Sequence, residues 1–455
     1  MSSWKKVTLE EISESINTGL DAIRRAPIVD FETDIKCLRI QDISQNKPIE
    51  SWGFTEVKNT DYSKFRLMKD DIIMARTCST GICFLAKQDL PAVFNNGLAR
   101  IRLKKDIAYP TYVYYVFKSK SFISYIDGIS GGTSVQLNMK IGDLSKYSFD
   151  LPPLNIQKEI ANKLSDLDKK IQLNTQINQT LEQIAQTIFK SWFIDFDPVH
   201  AKANALASGQ TLEQATQAAM AVISGKNTQE LHRLQTANPE QYQQLWEIAE
   251  AFPRGVDEEG VPRGWEMTVV KSVCEKIQNG GTPKRSNKEY WNNGNIPWLS
   301  SGEVCNNNIL ISSKEFITQF GLENSSTKLI EANSTLVALY ASPTAGKCSF
   351  CAFKATTNQA VCALVPKEIY KYFNFYYLQT KEEYYSNQAV GSAQQNISKG
   401  IVEDTPILKP DSTILGYFNL IVVELMNKQI SNLKESDYLK NIRDVLLPKL
   451  LSGEV

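Results

Sequence analysis

Histidine is scarce in this sequence, with only His200 and His232 among 455 residues. Zinc sites and Ser-His or Cys-His catalytic pairs depend on histidine, so neither is expected here. Eight cysteines are present, but they lack the regular spacing of a disulfide framework. The one Cys-x-x-Cys pair, Cys348 and Cys351, falls in a strand-like run, where an odd separation sends the two thiols to opposite faces. We therefore expect free thiols and no bound metal.

Long apolar runs and an excess of charge of either sign are also absent. No run is long enough to cross a bilayer, and the opening MSSWKKVTLEEI is not a signal peptide, which predicts a cytoplasmic protein without membrane contact. Lysine plus arginine equals aspartate plus glutamate at 50 each, so the net charge gives no sign of nucleic-acid binding. Residues 196–264 hold five basic and nine acidic side chains, whereas residues 1–150 hold 21 and 18, so an acidic connector would mask weakly basic domains.

The motifs of common DNA-modifying and nucleotide-using enzymes are missing. The sequence has no P-loop and no convincing glycine pattern for a dinucleotide. The only double proline, in Leu-Pro-Pro-Leu at 151–154, lacks the polar and aromatic neighbours that amino-methylation of a base needs. Pro410-Asp411 has no Glu-x-Lys partner of the kind found in nucleases. We therefore expect no catalytic residues in this chain.

The sequence does contain an internal repeat with a period of about 260 residues. Trp4 and an Ile-Asn-Thr-Gly run ending at Gly19 return, at the same spacing, as Trp265 and an Ile-Gln-Asn-Gly run ending at Gly280. Further echoes follow in the same order: an apolar run before a glycine at 81 and 346, a Tyr-Tyr pair at 114–115 and 376–377, and a small polar turn at 132–134 and 391–393. So many echoes in one order indicate duplication.

Each repeat ends in a segment with helical periodicity. After Pro152 and Pro153 a helix can begin at about Asn155, which we expect to be its N-cap. Apolar residues then follow a three-four spacing that two asparagines interrupt. We call the residues on this stripe the seam positions, because they would face the partner helix of a coiled coil. They are Ile160, Leu164, Leu167, Ile171, Asn174, Asn178, Leu181, Ile188 and Trp192 in the first segment, and Leu425, Leu433, Leu439, Ile442 and Leu446 in the second.

Two structures fit this spacing, a coiled coil with polar register markers and an amphipathic helix that covers a globular core. The recurrence of the pattern favours an antiparallel coiled coil formed within the chain. Asn174 and Asn178 would then face either the second helix or a docked partner protein, and the sequence leaves both possibilities open.

We predict an α/β (α+β) fold in which two similar domains are joined by two long antiparallel coiled-coil helices, with the pseudo-twofold symmetry of a duplication. The predicted segments are a first domain at 1–152, a long helix at 153–195, an acidic connector with two helix-like stretches and a Pro/Gly linker at 196–264, a second domain at 265–408 and a C-terminal long helix at 409–455.

Loops rich in glycine, hydroxyl and basic residues are the candidates for a DNA-binding surface. Small residues let a backbone approach a phosphate, Arg and Lys supply positive charge, and Gln and Asn amides match the edge of adenine. The same residue types are common in ordinary turns. The candidates are Arg24, Arg25, Arg76, Thr77, Thr80, Gly132, Thr133, Ser134, Gln136, Gly281, Thr282, Lys284, Arg285, Tyr340, Lys347, Ser392, Gln394, Gln395 and Asn396.

A family resemblance rests on Gly-Gly-Thr-Pro at 280–283, Tyr-Trp at 290–291, Ile-Pro-Trp at 296–298, Leu-Pro-Pro at 151–153, Gln-Lys-Glu-Ile at 157–160, Ser-Trp-Phe-Ile-Asp-Phe at 191–196, Gly-Ser-Ala-Gln at 391–394 and Leu-Pro-Lys-Leu-Leu-Ser-Gly at 447–453. Taken together, these motifs resemble the specificity subunit of type I restriction-modification systems, over nearly the whole chain. The first half departs from the second, with Asn-Thr-Gly at 17–19 and Ser-Val-Gln at 134–136, as two domains that read different half-sites would.

The resemblance implies a non-catalytic subunit with two target-recognition domains, each reading one half of a bipartite site in double-stranded DNA. The helices would set the spacer and dock two modification subunits that methylate adenine with S-adenosylmethionine. Restriction subunits that use ATP and Mg²⁺ would complete the endonuclease, and the chain itself would bind no cofactor. Two other functions also fit the residues: a duplicated coiled-coil adaptor that binds only proteins, and a fused methyltransferase or nuclease with an unrecognised active site.

Overall fold

The computed structural model describes residues 4–130, 139–340, 344–388 and 396–454. The chain forms two compact units, Met1–Gln172 with Ser436–Val455 and Leu173–Glu435, so the division falls inside both long helices. In the described ranges no helix combines the length and the apolar character needed to cross a bilayer. The same ranges contain no cluster of His, Cys, Asp and Glu suited to a metal ion, and all eight cysteines are free.

The first globular half is a mixed α and β structure. Its helices are short, namely α1 Leu9–Ile12, α2 Ile40–Ser44, α3 Asn59–Phe65, α4 Pro110–Val116, α5 Lys120–Ser130 and α6 Ile141–Leu144. Its strands are β1 Lys5–Thr8, β2 Ser13–Thr18, β3 Ile28–Val29, β4 Lys36–Leu38, β5 Gly53–Thr55, β6 Ile72–Ala75, β7 Cys83–Leu85, β8 Ala92–Phe94, β9 Leu98–Leu103 and β10 Ser148–Leu151.

Two four-stranded sheets form this half, with the strand orders β2-β9-β6-β7 and β3-β5-β4-β8. All four residues of β6 are buried, because apolar side chains cover both faces of this inner strand. A separate pair, β1 with β10, brings the first strand antiparallel to the last and closes the domain just before the long helix.

The long helix α7, Leu154–Phe193, has 40 residues. It begins one residue earlier than predicted, and Asn155 is therefore not its N-cap but an exposed residue of the first turn. Proline has no backbone donor, but its carbonyl can accept the first helical hydrogen bond. The Gln157 amide accordingly donates to the Pro153 carbonyl at 3.0 Å.

The connector forms four helices rather than the two predicted: α8 Asp197–Ala207, α9 Leu212–Ser224, α10 Thr228–Ala237 and α11 Pro239–Ala251. Side-chain caps at Thr211, Asn227 and Asn238 start the last three, and Gly225 ends α9 with a φ of 67°. These caps divide the two Ala- and Gln-rich stretches of the connector into separate helices, which composition alone does not predict.

The connector packs against the rest of its compact unit. Phe252, which follows α11, meets the ring of Trp192 at 5.1 Å between centroids. The buried Lys202 ammonium donates to the carbonyls of Ala249, Glu250 and Phe252 at 3.0, 3.0 and 2.7 Å, and so ties α8 to the C-terminal end of α11. Burial lowers the pKa of Lys202 to about 8. Helices α8 and α11 of the connector are thus packed into the core of this unit.

The second globular half repeats the first. Its helices are α12 Ser301–Asn306, α13 Gln319–Glu323, α14 Lys371–Gln379, α15 Glu382–Gln388 and α16 Lys399–Glu403. Its strands are β11 Glu266–Val269, β12 Cys274–Asn279, β13 Ile296–Leu299, β14 Ile309–Leu310, β15 Glu315–Ile317, β16 Ser334–Ala338, β17 Cys348–Cys351, β18 Thr356–Thr357, β19 Val361–Pro366 and β20 Pro406–Lys409.

The duplication extends to strand order and to single hydrogen bonds. The sheets β12-β19-β16-β17-β14 and β15-β13-β18, with the pair β11-β20, match the first half except that β3 and β14 have no counterpart. Gly81 and Gly346 have φ values of 86° and 90°. The amide of Gly81 donates to Ala75 and that of Gly346 to Ala338, at 3.0 and 2.8 Å. The second half likewise ends in a long helix, α17 Ser412–Ser452, of 41 residues.

Candidate nucleic-acid interface

In the first domain, the loops that hold the candidate residues meet at one edge of the sheets. The end of β2 lies against the turn between β8 and β9, since the Leu20 amide donates to Phe94 at 2.9 Å and the Asn96 amide donates to Leu20 at 2.8 Å. The end of β6 joins them, because the Arg76 amide donates to Gly97 at 2.9 Å. The Met139 amide donates to the Arg76 carbonyl at 2.8 Å and brings in the chain that follows residues 131–138.

The second domain builds the equivalent edge with three of these four backbone contacts, and the contact of Asn96 with Leu20 has no counterpart among them. The Gly281 amide donates to Thr357 at 2.8 Å, and the Leu339 amide donates to Ala360 at 2.8 Å. The Ile397 amide donates to Leu339 at 2.9 Å, as Met139 does to Arg76 in the first domain. The strands therefore bring together loops that lie far apart in the sequence.

In the first domain, two of the predicted arginines, Arg76 and Arg25, form hydrogen bonds to other residues of the same domain. Arg76 donates from Nε to Met139 and from Nη1 to Asn96, both through backbone carbonyls, at 3.2 and 3.1 Å. Arg25 forms a two-pronged ion pair with Asp61 at 2.5 and 3.0 Å, and this hydrogen-bonded contact raises its pKa. Arg24 is exposed.

The remaining candidates of this domain differ in how far the structure describes them. Thr77 and Thr80 are half-buried in the loop between β6 and β7. The predicted residues Gly132, Thr133, Ser134 and Gln136 lie outside the described residues.

In the second domain, Arg285 lies over two tryptophan rings. Its guanidinium carbon is 3.8 Å from the ring centroid of Trp291 and 4.6 Å from that of Trp298. It also donates to both carboxylate oxygens of Glu315 at 2.5 and 2.9 Å. This contact raises the pKa of Arg285 and lowers that of Glu315. The charge of Arg285 is thus balanced inside the domain, on a surface where half of its side chain is exposed.

The other candidates of the second domain follow the same edge. Thr282 donates to Oε1 of Gln359 at 2.5 Å, and Lys284 is exposed beside it. Tyr340 is 41% exposed, whereas Lys347 and Asn396 are half-buried. Ser392, Gln394 and Gln395 lie outside the described residues.

The glycines at this edge make room for protein rather than for an incoming phosphate. A Cβ at Gly280 would lie 2.1 Å from Oγ1 of Thr357, and one at Gly281 would lie 2.5 Å from Oγ of Ser326. A Cβ at Gly19 would lie 2.3 Å from the Asn95 carbonyl oxygen. The close approach that the sequence predicts is therefore present, but its partners are other segments of the same domain.

The seam asparagines face the second long helix, which resolves the alternative that the sequence left open. Within the unit formed by residues 173–435, Nδ2 of Asn174 donates to Glu435 at 2.8 Å. Nδ2 of Asn178 donates to the Gln429 carbonyl at 3.1 Å, and Asn432 donates to Oδ1 of Asn178 at 2.8 Å. The α17 partners descend as the α7 positions ascend, so the helices run antiparallel.

The centre of the seam is more polar on α17 than the leucine spacing predicts. Gln429, Asn432 and Ser436 are 3, 2 and 7% exposed. The predicted positions Leu425, Leu433, Leu439, Ile442 and Leu446 are only half-buried. On α7, Ile160, Leu164, Asn174 and Trp192 are buried, whereas Leu167, Ile171, Asn178, Leu181 and Ile188 are half-buried. Met426, Gln429, Asn432 and Ser436 also follow a three-four spacing in the sequence. Because the last three are polar, a search for apolar periodicity does not find them.

A family model described as "Type I restriction modification DNA specificity domain" matches residues 1–183 and 262–434, and so covers both repeats. The chain belongs to this family. It is 34% identical to the type I restriction enzyme HindI specificity subunit of Haemophilus influenzae over the full length of both. It is 27% identical to the MjaIX specificity subunit of Methanocaldococcus jannaschii, over 85% of this chain and 78% of that one. The resemblance drawn from the sequence is confirmed.

A solved structure supports the fold of this type I specificity subunit. The crystal structure of the type I restriction-modification system S subunit from M. genitalium aligns with a TM-score of 0.56 at 15% identity, covering 99% of this chain and 96% of that one. The duplicated fold is confirmed. The chain recognises DNA sequence for a type I restriction-modification system, and it is not itself the enzyme.

Proposed function

We propose that the two globular halves of this specificity subunit each read one half of a bipartite site in double-stranded DNA. The observation that carries the proposal is the pair of equivalent edges, at residues 95–97 with 76–81 and at residues 358–360 with 339–340 and 344–347, which share most of their backbone contacts and have different side chains. A duplicated scaffold with different side chains at one edge suits two readers of different half-sites.

We further propose that the long helices act as the spacer between the half-sites. A helix of 40 residues is about 60 Å long at 1.5 Å per residue. The polar pairs formed by Asn174 and Asn178 with α17 favour one register over others, because a shift along the seam would break the hydrogen bonds of one buried and one half-buried amide. A fixed register of the two helices would give a fixed length of the spacer between the half-sites.

The partners follow from the same role. The chain would bind DNA together with two modification subunits that dock on the helices, and with restriction subunits. S-adenosylmethionine would be bound by the modification subunits, and ATP with Mg²⁺ by the restriction subunits, in the cytoplasm. This chain would supply sequence recognition and positioning to them and would bind none of these cofactors.

The test exchanges one domain and keeps both helices. Residues 1–152 are replaced by the equivalent domain of a relative, the chain is expressed with its modification partner, and methylated sites are mapped by sequencing. We expect one half of the site to change, while the other half and the spacer length stay the same. A change in both halves would overturn the assignment of half-sites, and a change in spacer length would overturn the role of the helices.

A further inference from the structure

The two edges hold one exposed amide side chain each, at equivalent positions that sequence reasoning did not select. These are Asn96 in the turn 95–97 and Gln359 in the turn 358–360, which we call the tip turns. Each tip turn connects two strands, β8 with β9 and β18 with β19, at the edge where the candidate loops meet. We propose that Asn96 and Gln359 are specificity-determining residues that read a base edge in the major groove, one in each half-site. This inference rests on the proposed function.

Two backbone contacts hold the tip turns in the same way in both domains. The Asn95 amide donates to Leu38 at 3.2 Å, and the Asn358 amide donates to Leu299 at 3.1 Å. Leu98 donates to Asn95 at 3.0 Å, as Val361 does to Asn358 at 3.3 Å. A side chain on such a turn has a fixed origin, which direct readout requires, since hydrogen bonds to base edges tolerate little displacement.

The polar neighbours of the tip turns are engaged in holding them. In the first domain Nη1 of Arg76 donates to the Asn96 carbonyl at 3.1 Å. In the second domain Nδ2 of Asn358 donates to Ser301 at 3.4 Å, and Oδ1 accepts from the Ala360 amide at 3.2 Å. These side chains support the turn, whereas those of Asn96 and Gln359 point to solvent.

The hydrogen-bonding groups of the two amides remain available. Among the described residues the Asn96 side chain makes no hydrogen bond, and Gln359 makes one, in which its Oε1 accepts from Thr282 at 2.5 Å. That bond orients the Gln359 amide and leaves its Nε2 donor and a second lone pair of Oε1 for another partner. An Asn or Gln amide with a donor and an acceptor side by side matches N7 and N6 of adenine.

In the described part of the chain, three buried polar atoms without partners lie in or next to the tip turns. Oδ1 of Asn95, Oδ1 of Asn279 and Oγ1 of Thr357 are buried and have no hydrogen-bond partner among the described residues. Buried polar atoms without partners are uncommon in proteins, and a polar ligand is one of the partners that can satisfy them. Their position at both equivalent edges supports a polar ligand surface there.

The difference between the two tips has a functional reading. The backbone contacts of Asn95 and Asn358 are equivalent, but one turn presents Asn96 and the other Gln359, whose side chain is longer by one methylene. The two turns thus have similar backbones but different side chains for contact with a base, as expected of one chain that reads two different half-sites.

The test uses the assembled complex of this chain with its modification partner, and maps methylated sites for Asn96→Ala and Gln359→Ala. We expect discrimination at one base pair to fall about 5- to 150-fold, the value of a bidentate base contact, in a different half-site for each variant. Gln359→Glu keeps the length of the side chain but offers only acceptors, and we expect it to disfavour the original base by a similar factor.

Matched controls separate reading from folding. Gln88→Ala removes an exposed side chain in the loop before β8, at the other end of that strand, and Gln319→Ala removes one on α13. Both should leave the methylated sequence unchanged, and all variants should melt within about 2 °C of the parent chain, as exposed substitutions do. An unchanged site for Asn96→Ala and Gln359→Ala would overturn the inference. If the parent complex itself methylated DNA without a bipartite preference, the proposed function would fail instead.

Discussion

Arg443 of α17 donates from Nη1 to Oδ1 of Asp168 on α7 at 2.7 Å, within the unit formed by residues 1–172 and 436–455. Tyr115 of α4 donates its hydroxyl to the other carboxylate oxygen at 2.8 Å, and Lys118 lies 3.5 Å from it. One carboxylate therefore ties the first domain to both long helices. Burial opposes the ionisation of Asp168, but Lys118, Arg443 and Tyr115 outweigh it and lower its pKa.

Replacement of this carboxylate should destabilise the unit that contains it. We expect Asp168→Asn to lower the free energy of unfolding by about 1 to 2 kcal/mol at pH 7, because two partly buried cations lose their partner. A group with a lowered folded pKa stabilises above its unfolded pKa of about 3.9 and loses that contribution as pH falls through the folded value. The difference between the parent and the variant in urea unfolding should thus shrink below about pH 4.

A neighbouring carboxylate on the same helix is the control. The Asp166 side chain is 70% exposed and pairs with Lys169, so Asp166→Asn should change the unfolding free energy by less than about 0.5 kcal/mol. Equal costs for the two variants, or a difference independent of pH, would contradict the role given to Asp168.

The polar seam gives a second prediction, tested by a double-mutant cycle. Asn432 donates to Oδ1 of Asn178 at 2.8 Å. Asn178→Ala and Asn432→Ala should each cost about 1 to 2 kcal/mol, and the double variant should cost less than their sum by about 0.5 to 2 kcal/mol. Asn162→Ala, on the exposed face of α7, is the control and should be neutral. Additive costs would mean that the two amides do not act as a pair.

A third prediction concerns the glycine that meets the second tip turn. Gly280→Ala places a Cβ 2.1 Å from Oγ1 and 2.3 Å from the carbonyl oxygen of Thr357, so we expect a loss of about 1 to 3 kcal/mol in thermal or urea unfolding. Gly302→Ala, where the nearest atom is 3.8 Å away and the residue lies in α12, should be neutral or stabilising. A neutral Gly280→Ala would show that this edge can relax and would weaken the case for rigid tip turns.

The sequence predicted the elements that local pattern and repetition encode. The duplication is visible because Trp4 and Gly19 recur as Trp265 and Gly280 at one spacing. The long helices follow from three-four spacing, which places the repeated side chains on one face of a helix. The caps of the connector helices were also present as Thr211, Asn227 and Asn238, but composition alone did not separate them.

The tertiary structure decided what depends on contacts between distant segments. Arg285 and Arg25 look like free DNA ligands in the sequence, but Glu315 and Asp61 balance their charges across 30 and 36 residues. The partner of Gly280 is Thr357, and the amide of Gln359 is oriented by Thr282. Periodicity is a property of one segment, so the sequence alone determined the duplicated plan and its helices. Which polar groups stay available to read DNA depends on the residues that folding brings beside them, and only the tertiary structure decided that.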